Sequence, residues 1–138
     1  MMKVYVASSW RNEKQAGVVE ALRHAEHEVY DFKNPAANDN GFHWTEIDPN
    51  WKNWTPKEFV EHLYTSRVAE KGFNNDMRAL DWADACVLVM PCGRSAHLEL
   101  GYAIGKRKMT VILVSDGEPE LMYKMADLLT VNMSEVLD

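Results

Sequence analysis

Apolar residues follow two rhythms along this chain. Lys3-Val-Tyr-Val-Ala7 and Glu28-Val-Tyr-Asp-Phe32 are short, β-branched and aromatic, and both read as strands. Cys86-Val-Leu-Val-Met90, closed by Pro91, and Thr110-Val-Ile-Leu-Val114 are continuous apolar runs, the pattern of parallel strands buried on both faces. A last short strand falls around Val131. Between these runs the spacing turns helical. Asn12 and Gln15 resemble a capping box ahead of Val18, Val19, Leu22 and Ala25. Thr55-Pro-Lys-Glu58 joins an N-cap, a proline at the first helical position and a glutamate at the third. Phe59, Leu63, Tyr64 and Val68 give that helix an apolar side. Gly72 is expected to break it, with 74–83 as a second short helix. Ser95 is expected to cap a helix running to about Lys106, and 119–129 reads as a helix before a terminal turn.

Strands alternating with helices predict an α/β fold: one domain over 1–138, with a mainly parallel five-stranded sheet and helices on both faces, flavodoxin- or Rossmann-like. The rhythm lapses only in 33–55, which holds two prolines, one glycine, five asparagines and Trp44, Trp51 and Trp54. So long a connection is functional or disordered in most domains, and its tryptophans favour an ordered flap. In open α/β sheets ligands bind outside the carboxyl ends of the strands. That rule selects 7–11, the end of the 76–84 region, and 91–99.

Composition narrows the function. With 138 residues the chain is long enough to bury roughly 70% of its unfolded surface in one core. A net charge of −6 argues against a nucleic-acid polymer as partner, since such binding needs basic residues to neutralise phosphates. Cys86 and Cys92 are too few for a disulfide framework or a zinc site, and the five histidines show no metal-ligand spacing. No metal and no cofactor are implied. The longest apolar run, 85–90, is too short to span a bilayer, and the start of the chain lacks a signal-peptide layout, so a cytoplasmic protein is expected.

The richest stretch is Pro91-Cys-Gly-Arg-Ser-Ala-His-Leu-Glu-Leu-Gly-Tyr-Ala103, a strand end, a turn and a helix start. Backbone N–H groups there can receive an anion, with Gly93 allowing close approach. Glu99, one turn inside, has two readings: an acid favoured near a helix start, or an ionised nucleophile facing a cleft. His97 reads as a surface histidine and Cys92 as a small residue at the rim.

His97-Leu-Glu-Leu-Gly-Tyr-Ala103 resembles the catalytic helix of the nucleoside 2-deoxyribosyltransferase superfamily. Phe73-Asn-Asn-Asp-Met77 resembles its nucleobase-binding acidic segment, and Val4-Tyr-Val-Ala-Ser-Ser-Trp-Arg11 its first strand and loop. The matches run in family order, and 33–55 fits poorly. The resemblance implies that Glu99 attacks the anomeric carbon, that Tyr5 orients its carboxylate, and that Asp76 contacts and helps to protonate the leaving base. Ser9-Trp10-Arg11 resembles the Ser-x-Arg of the 2′-deoxynucleoside 5′-phosphate N-hydrolase branch. With Gly93, Arg94 and Ser95 it makes a candidate substrate-binding set for a 5′-phosphate. Gly93 departs from that branch, which tends to place a serine there. Each residue keeps an ordinary alternative: Tyr5 as a core aromatic, Asp76 as a cap or surface acid, Arg11 and Arg94 as solvated charge.

The implied activity is N-glycosidic cleavage or transfer on a nucleoside or its 5′-monophosphate through a covalent glycosyl-enzyme intermediate. The implied partners are a small nucleoside or nucleotide and a second copy of the chain in a homodimer or higher oligomer, with 125–134 reaching a neighbour's site. Two rivals stand beside it: a TIR-like NAD glycohydrolase, and a non-catalytic nucleotide-binding module on the same sheet.

Overall fold

Five short runs of alternating or continuous apolar residues become the five strands of one sheet. In the computed structural model, which describes residues 1–136, they are β1 (Lys3–Ala7), β2 (Glu28–Asp31), β3 (Ala85–Val89), β4 (Met109–Leu113) and β5 (Leu128–Thr130). All pairings are parallel, and the order is β2-β1-β3-β4-β5. The helices are α1 (Gln15–His24), α2 (Pro56–Thr65), α3 (Arg67–Trp82), α4 (Arg94–Gly105) and α5 (Met133–Val136).

Strand alternation sorts the core into two layers. Val4, Val6, Val87, Val89 and Val111 pack against Val18, Val19 and Leu22 of α1 and Val136 of α5. Tyr5, Ala7, Cys86, Leu88 and Ile112 point the other way and are fully buried. The sheet face they form is covered by α4, whose buried stripe is Ala96, Leu100 and Ala103.

The chain forms two compact units, Met1–Asp31 with everything from Leu80 onward, and Phe32–Ala79. The expected insertion is the first part of the second unit, which also takes in α2 and most of α3. Its chain makes two 3-10 turns, Trp44–Glu46 and Trp51–Asn53. Trp44 meets Phe42, Trp54 and Phe59 edge-on at 4.7, 5.9 and 5.8 Å. Trp54 stacks on His62 at 4.3 Å and donates its indole N–H to Asp48 at 2.8 Å. The tryptophans thus give an otherwise polar loop its packing.

Several expectations are corrected. Asn12 does accept from the N–H groups of Lys14 and Gln15, at 2.7 and 3.1 Å, but Gln15 does not complete the box. Its buried side chain donates to Asp31 at 2.9 Å instead. The full capping box is at Thr55 and Glu58, as read from sequence. Gly72 does not break a helix; the break is at Ser66, whose extended backbone ends α2 and whose hydroxyl accepts from Ala69 N–H at 3.3 Å. Gly72 lies inside α3, at a place where a Cβ would stand 3.0 Å from that of Phe42, and that crowding favours glycine there. Ser95 does not cap α4; Gly93 holds the cap position without a side chain. The helix expected over 119–129 is only a 3-10 turn, Leu121–Met125. Asp127 ends that turn: its carboxylate accepts from Thr110 N–H at 2.8 Å, which draws the chain alongside β4.

Candidate active site

The strand order puts a switch point between β1 and β3, whose connections leave in opposite directions and open a crevice at their carboxyl ends. Tyr5, in the middle of β1, faces α4 and is completely buried. Glu99 is one turn after Ala96 on the border of the stripe that α4 presents to the sheet, which leaves it half-buried. The Tyr5 hydroxyl donates to Glu99 Oε2. Tyr30 of β2 stacks on the Tyr5 ring, with centroids 5.3 Å apart and planes 18° from parallel. One hydroxyl therefore sits at a fixed place under one carboxylate. Glu99 is the sixth residue of α4, past the first turn, so the helix dipole contributes little, and the Tyr5 hydroxyl is a specific contact that holds it.

The neighbouring thiols report the same charge. Burial first, and then the Glu99 carboxylate, push Cys86 up to about 12 and Cys92 up to about 11. Neither sulfur is a nucleophile near neutral pH. His97, expected at the surface, is half-buried and engaged. Its Nδ1 lies 2.7 Å from the Gly93 carbonyl and its Nε2 2.6 Å from the Tyr123 hydroxyl. Since a carbonyl only accepts, Nδ1 donates to Gly93, and Nε2 shares a hydrogen bond with the Tyr123 hydroxyl.

The loop candidates of the first unit flank the same edge. Ser9 is half-buried, and Trp10 and Arg11 are exposed on the β1–α1 loop. Gly93, Arg94 and Ser95 are exposed at the start of α4. A Cβ built on Gly93 would meet open space, so this glycine is not required by crowding. Asp76 belongs to the second unit, half-exposed on α3. The structure brings Tyr5 and Glu99 into contact and places Ser9–Arg11 and Gly93–Ser95 on adjoining loops of the first unit.

Sequence reasoning missed Ser8 and Asn12. Ser8, not Ser9, turns inward and donates to the Val89 carbonyl at 2.8 Å. Asn12 is 4% exposed and donates to the carbonyls of Val89 and Pro91 at 3.1 and 2.9 Å. The only sequence signal for Asn12 was its cap-like position. Among the described residues no group of histidine, cysteine, aspartate or glutamate could hold a metal ion, and no helix is long and apolar enough to cross a membrane.

No protein-family model matches the chain, nor does any curated protein sequence. Solved structures do. A 2-deoxyribosyltransferase from Bacillus psychrosaccharolyticus matches with a TM-score of 0.64 at 17% identity, over 98% of this chain and 90% of that one. A CMP N-glycosidase from Clostridium botulinum matches with a TM-score of 0.51 at 16% identity, over 97% and 93%. Likeness at this level of identity is likeness of fold: over nearly its whole length, the chain is built as a 2-deoxyribosyltransferase and a CMP N-glycosidase are built.

Proposed function

We propose that this protein cleaves or transfers the N-glycosidic bond of a nucleoside or deoxynucleoside, or of its 5′-monophosphate, with Glu99 as nucleophile. The observation that carries this reading is the buried Tyr5 hydroxyl donating to the Glu99 carboxylate at the β1/β3 switch point. The fold shared with a 2-deoxyribosyltransferase and a CMP N-glycosidase supports it.

A Glu99 carboxylate oxygen bonds to the sugar C1′ as the C1′–N bond breaks, and the bonding pair leaves with the base. The departing nitrogen needs a proton, and the family resemblance assigns that role to Asp76. Water, or the nitrogen of a second base, then attacks C1′. The ester bond to Glu99 breaks, the carboxylate is restored, and the incoming nucleophile's proton returns to Asp76. Tyr5 keeps the carboxylate aimed throughout. Ser9, Trp10, Arg11, Gly93, Arg94 and Ser95 receive the 5′ end of the sugar, with a phosphate as their best-matched group because arginine and backbone N–H groups are charge-assisted donors.

Chromatography of nucleosides, 5′-monophosphates and NAD after overnight incubation tests this. Free base is expected from a nucleoside or a monophosphate. Glu99→Gln should abolish its release while binding persists. Release from NAD alone would move the protein to the TIR-like class. Tight binding without turnover, unaltered by Glu99→Gln, would make it a nucleotide-binding module.

A further inference from the structure

The last register pair of β1 and β3 is Ala7 with Leu88. Beyond it, side chains join the two segments. The Val89 carbonyl accepts from Ser8 Oγ at 2.8 Å and from Asn12 Nδ2 at 3.1 Å, and the Pro91 carbonyl accepts from the same Asn12 nitrogen at 2.9 Å. On its other side the Asn12 oxygen accepts from Lys14 N–H at 2.7 Å and Gln15 N–H at 3.1 Å. The orientation of the amide is forced, because a flip would set oxygen against two carbonyls and NH2 against two N–H groups. Thus one buried carboxamide ties the start of α1 to the loop that leads into α4.

The two loops it joins carry the two halves of the candidate sugar 5′ site: Ser9, Trp10 and Arg11 on one, and Gly93, Arg94 and Ser95 on the other. We propose that Asn12 is a positioning residue for substrate, setting the spacing between these loops and thereby how well they jointly hold an anionic group at the sugar's 5′ end. This rests on the glycosidic reading of the site. Asn12 touches none of the reacting atoms. Its effect falls on recognition of the 5′ end and spares the Tyr5–Glu99 pair, which is fixed by β1 and α4 themselves.

Asn12→Ser and Asn12→Asp separate its two duties. Either side chain can still accept from the N–H groups at the start of α1, so the helix start is retained. Serine is too short to reach both carbonyls, and aspartate presents oxygen to them. Steady-state base release is measured for a deoxynucleoside 5′-monophosphate and its parent nucleoside, together with calorimetric binding of both compounds and thermal unfolding. For the monophosphate, KM and Kd should rise about tenfold, the order expected for a weakened charge-assisted contact, with kcat within about twofold. For the nucleoside the change should be under about threefold, so the preference between the two collapses. Equal losses on both compounds, a fall in kcat at unchanged KM, or failure of both variants to fold would each overturn the inference and leave Asn12 to the fold alone. If wild type binds both compounds but cleaves neither, the glycosidic reading falls, and the binding preference still judges Asn12. If it binds neither, both fall.

Discussion

Around Glu99 the neighbouring thiols are held in their protonated form, and this gives its charge a direct readout. Cys92 is half-buried, and burial together with the Glu99 carboxylate takes its thiol to about 11. At pH 8 only about a thousandth of it is thiolate, so iodoacetamide should label it far more slowly than a free cysteine. Glu99→Gln removes the repulsion and leaves the burial, so the labelling rate should rise yet stay below that of a free thiol. An unchanged rate would mean that the carboxylate does not act on this sulfur. Arg11 is exposed, and its candidate work is with substrate. Arg11→Ala should cost roughly 1.5–3 kcal/mol, about one to two orders of magnitude in kcat/KM, on a 5′-monophosphate and almost nothing on the nucleoside. Equal losses on both substrates would assign Arg11 to the fold. Tyr5 and Glu99 were singled out by the family resemblance of the segments that carry them; strand and helix period alone left each with an ordinary alternative. The contacts of Ser8, Asn12 and His97 could not be read from sequence. Their partners are carbonyls and a hydroxyl far away in the chain, and the residue types are ordinary in surface loops.

At the scale of elements, the Thr55–Glu58 start of α2 was legible because all of its signals are local: a hydroxyl, a proline and a carboxylate within one turn. The span 119–129 was misread because its fate is decided by pairing of Asp127 with Thr110, seventeen residues apart. Gly72 was misread for the same kind of reason: its meaning lies in Phe42, across the unit. That unit leans on carboxylates. The hydrogen bonds from Asn50 N–H and the Trp54 indole hold Asp48 below its ordinary range, and those from Thr55 do the same for Glu58. A carboxyl lowered by folding contributes stability above its unfolded pKa and loses it as pH falls through the folded one. Asp48 is half-buried and Glu58 exposed, and solvent screens both, so the contribution of each is small. Acidification from about pH 4 downward should therefore loosen this unit, which holds three of the five tryptophans and so dominates a fluorescence titration. Asp48→Asn should flatten the acid limb of that titration. An identical acid limb in the variant would show that the Trp54–Asp48 contact carries no linkage.

The whole molecule exposes apolar surface that a lone chain has no use for. β5 is an edge strand, and in and around it Met125, Leu129 and Val131 are 51%, 43% and 74% exposed, with Leu121 and Met122 on the preceding turn also open. Single exposed apolar residues are ordinary, but five within eleven positions beside an unpaired strand edge are what an interface presents. The family resemblance implies that 125–134 reaches a neighbour's site, and its exposure fits a second copy of the chain as the partner. A stable two-fold interface buries about 1,600 Å² in total and is built from the same patch on both copies, so one substitution strikes it twice. Light scattering of the wild-type protein is expected to give at least twice the chain mass at working concentration. Val131→Glu, which sets two carboxylates into that patch, should shift the protein toward the monomer. If the partner completes the site, base release should fall with the dimer fraction and recover as protein concentration is raised, because dissociation follows mass action. A wild-type monomer would remove the interface. A monomeric Val131→Glu protein with full activity would instead show that each site is complete on one chain, leaving the exposed residues of 125–134 with no part in catalysis.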